Sequence, residues 1–228
     1  MSSRSDLWIG LAVGGIALVV LLAIAVGAGV TDGIDRPIIE VVRADALHDV
    51  LSPLRLVTEL GSTAAVSVVA GLVLLAGVVF RRRREGLLGA LTIVLASIGN
   101  TLLKITFARA RPDLLDPVVV EHGFSFPSGH SALSMVAYGV VAVLVARSSL
   151  PIGVRRGIVV VLGAIVFLVG VSRIWLGVHY PTDVVAGWTA GAVVVVLYAA
   201  ATRASTGPVA AAAGADPGAP RSDRPAPG

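Results

Sequence analysis

His179 and Asp183 stand four residues apart in a stretch, Ser172 to Asp183, that lies between two apolar runs and also carries Arg173. Charge at the edge of a bilayer is costly and tends to be kept for function. In a helix or a tight turn, this spacing brings one carboxylate to one imidazole. A carboxylate on one ring nitrogen fixes the tautomer and leaves the other nitrogen free to act as base or nucleophile. Arg173 adds a planar guanidinium suited to phosphate. Taken alone, the stretch reads equally well as a helix-end arginine beside a satisfied histidine.

Two other groups change that balance. Lys104 precedes Arg111-Pro112 by seven residues; a lone Lys or Arg at such a place is often only snorkelling to the interface. Pro127-Ser128-Gly129-His130 opens another apolar run. Pro127 disfavours helix just before it, Ser128 can cap, and Gly129 lets the backbone approach a ligand. Free N–H groups at a helix start form an anion site, at which His130 would point. The plainer reading is an ordinary N-cap with an interfacial histidine. Together, Lys104, Arg111, Arg173, the helix amides, two histidines and one Asp suit a phosphate dianion, a nucleophile and an acid. No HExxH, carboxylate cluster or thiolate points to a metal, and no cofactor is expected.

The elements that must position these groups are membrane spans. Of 228 residues, 56% are hydrophobic and 14% charged, where a soluble domain carries about a quarter charged. The fold class expected is all-α, a bundle of six transmembrane helices with an amphipathic interfacial helix in the first outer loop. The spans are Leu7–Val30, Gly61–Phe80, Gly86–Lys104, Ser131–Ala146, which is short unless it borrows from its flanks, Gly157–Val171 as the core of the fifth, and Val184–Thr202. A cleavable signal peptide competes for the first run, which is long for that role. Between Thr31 and Leu60, Ile39, Val42, Ala46, Val50, Leu54 and Val57 recur at helical steps among charged residues, with an interruption near Pro53. His48 falls on its polar face. Ser97, Asn100 and Thr101 share a face with Lys104 that should turn into the bundle. The domain division is 1–202 for the membrane domain and 203–228 for a disordered cytoplasmic tail rich in Ala, Pro and Gly.

Six spans place eleven of the 18 Lys and Arg residues, including Arg81 to Arg84, on one side. The positive-inside rule makes that side and both termini cytoplasmic, in the plasma membrane, with the charged loops outside. The net charge of +4 therefore reports orientation, and no nucleic-acid partner is expected. Absence of cysteine excludes disulfides and Cys nucleophiles.

Lys104-x6-Arg111-Pro112, Pro127-Ser128-Gly129-His130 and Ser172-Arg173-x5-His179-x3-Asp183 resemble, in order, the three signature motifs of the phosphatidic acid phosphatase type 2 superfamily. With the six-span layout, the resemblance extends over about Leu7 to Thr202. It implies that His179 attacks phosphorus, Asp183 orients it, and His130 protonates the leaving oxygen. Lys104, Arg111, Arg173, Ser128 and Gly129 would bind the phosphoryl group, and the partner would be a membrane lipid. The activity implied is metal-independent hydrolysis of a lipid phosphate or diphosphate through a phosphohistidine. Undecaprenyl diphosphate comes first, then phosphatidate or phosphatidylglycerophosphate. A lipid-linked phosphotransferase and an anion or lipid transporter are the competing functions. Arg109, outside the motifs, is expected to be dispensable, and Asp113, Asp116, Glu121 and His122 to be solvated loop residues. Phe124, Phe126, Trp175 and Tyr180 are read as an interfacial aromatic belt.

Overall fold

The computed structural model describes residues 2–44, 48–112 and 121–204, and within them eight helices follow one another. They are α1 (Ser2–Gly27), α2 (Asp32–Ala44), α3 (His48–Glu59), α4 (Thr63–Val79), α5 (Arg83–Phe107), α6 (Gly129–Ala146), α7 (Ile152–Trp175) and α8 (Pro181–Ala204). In lipid every backbone polar group must be paired within its own segment, which helices achieve. Five of them (α1, α5, α6, α7 and α8) are individually long and apolar enough to cross a membrane. α4, with 17 residues, reaches spanning length with the last turns of α3, from which it bends by 45°. That pair completes six spans in a multi-pass membrane protein.

The first outer segment differs from expectation in where it breaks. Pro53 lies inside α3, where it removes one helical hydrogen bond without ending the helix. The bend comes after Glu59, where Ser62 caps α4 by accepting the Ala65 N–H at 3.2 Å. The ring of His48 and the side chains of Ala46 and Val50 lie outside the described residues, as does the tail beyond 204. Several helices also outrun their apolar cores. α7 takes in Arg155 and Arg156 at its start, where a terminal turn tolerates charge, and Ser172 and Arg173 at its end, where both are buried and Arg173 is paired with Thr58 and Glu121.

α6 is the central helix, packed by α4, α5, α7 and α8. Its Val136 and Val140 meet Val66 and Val73 of α4, Ile93 of α5 and Tyr198 of α8 in one buried cluster. α8 lies very close: a Cβ at Gly187 would stand 2.6 Å from the Ser128 carbonyl, and one at Gly191 2.7 Å from that of Ala132. Small residues four apart allow this approach. Leu7, Ile16, Leu72, Leu95 and Val160 remain exposed, forming the surface offered to lipid chains. The alternating spans bring the ends of α1, α5 and α7 and the starts of α6 and α8 to one end of the bundle. Asp35, Thr58, Ser125, Ser128, Arg173, His179 and Asp183 are buried there.

Candidate active site

α7 stops at Trp175, and Gly177 turns the chain with φ +69°, a conformation glycine adopts without strain. The Arg173 carbonyl then accepts the N–H groups of Val178 and His179 at 3.2 and 3.3 Å. Pro181 opens α8, a position that suits its fixed φ. In the first turn Asp183 reaches back and accepts the Tyr180 N–H at 2.9 Å, which is one half of a capping box. The same Oδ2 accepts from the Ser125 hydroxyl and lies 3.4 Å from His179 Nδ1. This leaves His179 Nε2 pointing away from Asp183, with Arg111 Nη1 donating to it at 3.2 Å. His179 is 1% exposed. Burial pushes its imidazole down to about 4, against the opposing pull of Asp183. At neutral pH the ring is uncharged, with Nε2 holding a lone pair.

Arg111 touches that nitrogen, and Arg173 and Lys104 lie within electrostatic reach of the ring. Arg111 is tied to the Val178 carbonyl at 2.8 Å and the Gly123 carbonyl at 3.1 Å. Arg173, from the last turn of α7, donates to Thr58 Oγ1 at 2.8 Å. Lys104, from the last turn of α5, donates to the Phe124 carbonyl at 2.6 Å. His130 lies within electrostatic reach of Arg173, Glu121, His179 and Lys104. Ser128 stands at the N-cap of α6, but its hydroxyl makes no capping bond and instead accepts from Ser131 Oγ at 3.0 Å. Its N–H is spent on the Asp183 carbonyl at 3.0 Å, locking α6 to α8. Gly129 opens α6 against α5, where a Cβ would meet Asn100 Nδ2 at 3.0 Å. Asn100 is buried, while Thr101 sits at the edge of that face, exposed and bonded to the Ser97 carbonyl at 3.0 Å.

Several residues read as bystanders are inside the site. Glu121 is not a solvated loop residue: it pairs with Arg173 and, at 3.1 Å, with Arg111. Burial disfavours its ionisation, but Arg173, His130 and Arg111 outweigh this and hold its pKa at about 2. Arg109 is mostly buried and bridges Asp183 at 2.6 Å and Asp35 at 2.7 Å. Burial opposes its charge, yet the two carboxylates raise its pKa further. Phe126 is fully buried, edge-on to Phe107 at 5.3 Å, rather than part of a belt. His122 is exposed, as expected, and Asp113 and Asp116 lie outside the described residues. The signal for Arg109 was visible only as a third cation between Lys104 and Arg111; nothing in the sequence pattern marked Asp35. Among the described residues, no three His, Asp or Glu side chains gather to hold a metal ion.

The chain matches the PAP2 superfamily over residues 85–206, more than half its length. It is 38% identical to the phosphatidylglycerophosphatase B of Bacillus subtilis (strain 168), over 49% of this chain and 55% of that protein. It is 31% identical to an undecaprenyl-diphosphatase of Sulfolobus acidocaldarius, over 58% of this chain and 61% of that protein. The match thus spans little more than half the length of these curated relatives. Among solved structures it resembles the transmembrane PAP2 type phosphatidylglycerolphosphate phosphatase from Bacillus subtilis. That likeness has a TM-score of 0.79 and 26% identity, and covers 88% of this chain and 99% of that one. A helical bundle with an apolar exposed surface, two histidines within electrostatic reach of each other and of the same cations, and these matches lead to one assignment: the chain belongs to the PAP2 superfamily.

Proposed function

We propose that this protein is a membrane phosphatase that hydrolyses a lipid phosphate or diphosphate through a phosphohistidine on His179. The observation that carries the reading is the division of labour on one ring. Asp183 holds Nδ1, while Nε2 faces Arg111 with Arg173 and Lys104 nearby. An incoming phosphoryl group takes the place of the Glu121 carboxylate between Arg111 and Arg173. The Nε2 lone pair attacks phosphorus, and the bond to the leaving oxygen breaks. Protonated His130 gives that oxygen its proton, a contribution of ~10²–10⁴ in rate. Water then attacks the phosphohistidine, His130 takes its proton, and phosphate leaves. Three fixed cations supply the charge stabilisation that a metal gives elsewhere.

The relatives' names support a lipid substrate: a phosphatidylglycerophosphate, a polyprenyl diphosphate or a related lipid phosphate. The headgroup enters at the site end while the tail stays in the leaflet. We place that end outside the plasma membrane and both termini, with residues 203–228 as a tail, in the cytoplasm, on the balance of arginines. The test is phosphate release from undecaprenyl diphosphate, phosphatidylglycerophosphate and phosphatidate by purified protein in detergent with excess EDTA. Release, lost in His179→Ala, is the expected result. A phosphorylated acceptor in place of free phosphate sinks hydrolysis, and activity abolished by EDTA sinks the metal-free scheme. Because the chain lacks cysteine, a single His122→Cys, at an exposed position of the same loop, reports orientation. Labelling of intact cells by an impermeant maleimide is expected.

A further inference from the structure

Arg109 belongs to none of the three motifs, yet no other cation among the described residues is set between two fully buried carboxylates. Its Nη1 donates to Asp183 Oδ1 at 2.6 Å and to Thr182 Oγ1 at 2.9 Å. Its Nη2 donates to Asp35 Oδ2 at 2.7 Å and reaches Thr31 Oγ1 at 3.4 Å. The guanidinium lies over the Tyr180 ring, 4.1 Å from its centroid. Asp35 completes the frame by accepting the Thr182 N–H at 3.1 Å and the Thr182 hydroxyl at 2.6 Å. Asp35 and Asp183 are both 0% exposed, and burying one carboxylate unpaired is expensive.

The two oxygens of Asp183 have separate tasks. Oδ2 takes Ser125, the Tyr180 N–H and His179, while Oδ1 takes Arg109. Rotation about the last side-chain bond, an intrinsically broad torsion, would carry both oxygens away from their partners. The guanidinium on Oδ1 adds a charged restraint to those already on Oδ2. Asp35 in turn prevents Arg109 from neutralising Asp183 alone, because the single positive charge is shared between two carboxylates. Accepting the phosphatase reading above, we propose that Arg109, anchored by Asp35 of α2, is a positioning residue that holds Asp183 and through it sets His179 for attack. The interfacial helix α2 is then part of the active-site frame and not only a membrane support.

The experiment measures kcat and KM for phosphate release from phosphatidylglycerophosphate and a short-chain phosphatidic acid by full-length protein in detergent. Melting temperature is recorded for every variant. Wild-type protein that releases no phosphate from any lipid phosphate overturns the phosphatase reading itself, and this inference with it. With wild type active, Arg109→Ala is expected to lower kcat about 10–100-fold, the usual loss when a ligand-orienting partner is removed. KM should stay within about threefold. Added to Asp183→Asn, Arg109→Ala should cost nothing further, since a residue acting through another is non-additive with it. A merely structural role predicts additive losses in that double variant, and that result, or a raised KM at unchanged kcat, overturns the proposal. Should Arg109→Ala fail to fold, Arg109→Lys and Asp35→Asn decide. Lysine cannot span both carboxylates as the fork does, so each should fold and lose kcat by about tenfold. Wild-type kcat in both overturns the proposal.

Discussion

Arginines gather at both ends of the bundle, but they are held by different kinds of partner. Away from the site, Arg147 donates to the Ala199 carbonyl at 2.7 Å, Arg155 to the Ala146 carbonyl at 2.9 Å, and Arg82 pairs with Glu85 at 2.8 Å. Arg147 and Arg155 thus sit on carbonyls of the last turns of α8 and α6, where cations suit the helix dipole, Arg147 reaching 52 residues to do so and also donating to Thr202; Arg82 takes a neighbour in its own turn. At the site end, Arg111, Arg109 and Arg173 take partners 67, 74 and 115 residues away. Arg109 is braced by the buried Asp35 and Asp183, Arg111 and Arg173 by Glu121, and Arg111 touches the His179 ring. The difference is one of partner: carbonyls, a hydroxyl and one nearby glutamate at the far end, and buried or site carboxylates and an imidazole at the other. The first set is expected to anchor helices and the second to serve the chemistry proposed above.

Substitutions at the two ends should separate these roles. The largest effect is expected for His179→Ala, about 10⁴-fold or more in kcat, as for other lost nucleophiles. His130→Ala should follow at ~10²–10⁴, both read as initial rates of phosphate release. Arg173→Ala should cost about 10²–10³ in kcat/KM by removing preorganised charge. Its counterpart Arg147→Ala should keep kcat/KM within about twofold while lowering stability by about 1–2 kcal/mol, seen in the melting temperature. Equal losses of activity at the two arginines would erase the distinction between the ends.

The pH profile sharpens the comparison further. His179 must be neutral to attack, and its pKa is pushed down to about 4 by burial despite Asp183. The acid limb of kcat/KM, which reports the free enzyme, should therefore fall near pH 4. Asp183→Asn removes the charge that raises this pKa, so the limb should move lower still as kcat drops. A limb that moves upward contradicts the assignment of Asp183 as the partner of His179.

The smallest effect concerns Glu121, which stands between Arg111 and Arg173 where the phosphoryl group is proposed to bind. Glu121→Gln should lower KM a few-fold by removing an anionic competitor. Its folded pKa, about 2, lies below the ordinary 4.5. The stability it contributes is therefore complete above pH ~4.5 and lost as pH falls through about 2. The melting difference between wild type and Glu121→Gln should shrink over that window. An unchanged KM would show that the carboxylate does not compete for the site.

Much of this was legible in the chain. Apolar runs of near-bilayer length read as helices because lipid leaves the backbone no other partner. His179 and Asp183 were linked by spacing alone, since both fall within one turn and the start of α8. Helix ends were less legible: Arg155, Arg156, Ser172 and Arg173 are helical residues whose charge masks the span's true extent. Glu121 read as a solvated loop charge and Arg109 as dispensable because Arg173, Asp35 and Asp183, their buried partners, are far off in sequence.

What the sequence determined by itself was therefore local and periodic: the spans, the motif residues, and the turn that sets Asp183 behind His179. Only the tertiary structure decided that Asp35 of α2 shares Arg109 with Asp183, and that Glu121 lies across Arg111 and Arg173. The physical reason is that hydropathy and helical spacing act over a few turns and leave a pattern. Pairing of buried charges acts through space between segments whose separation along the chain carries no period.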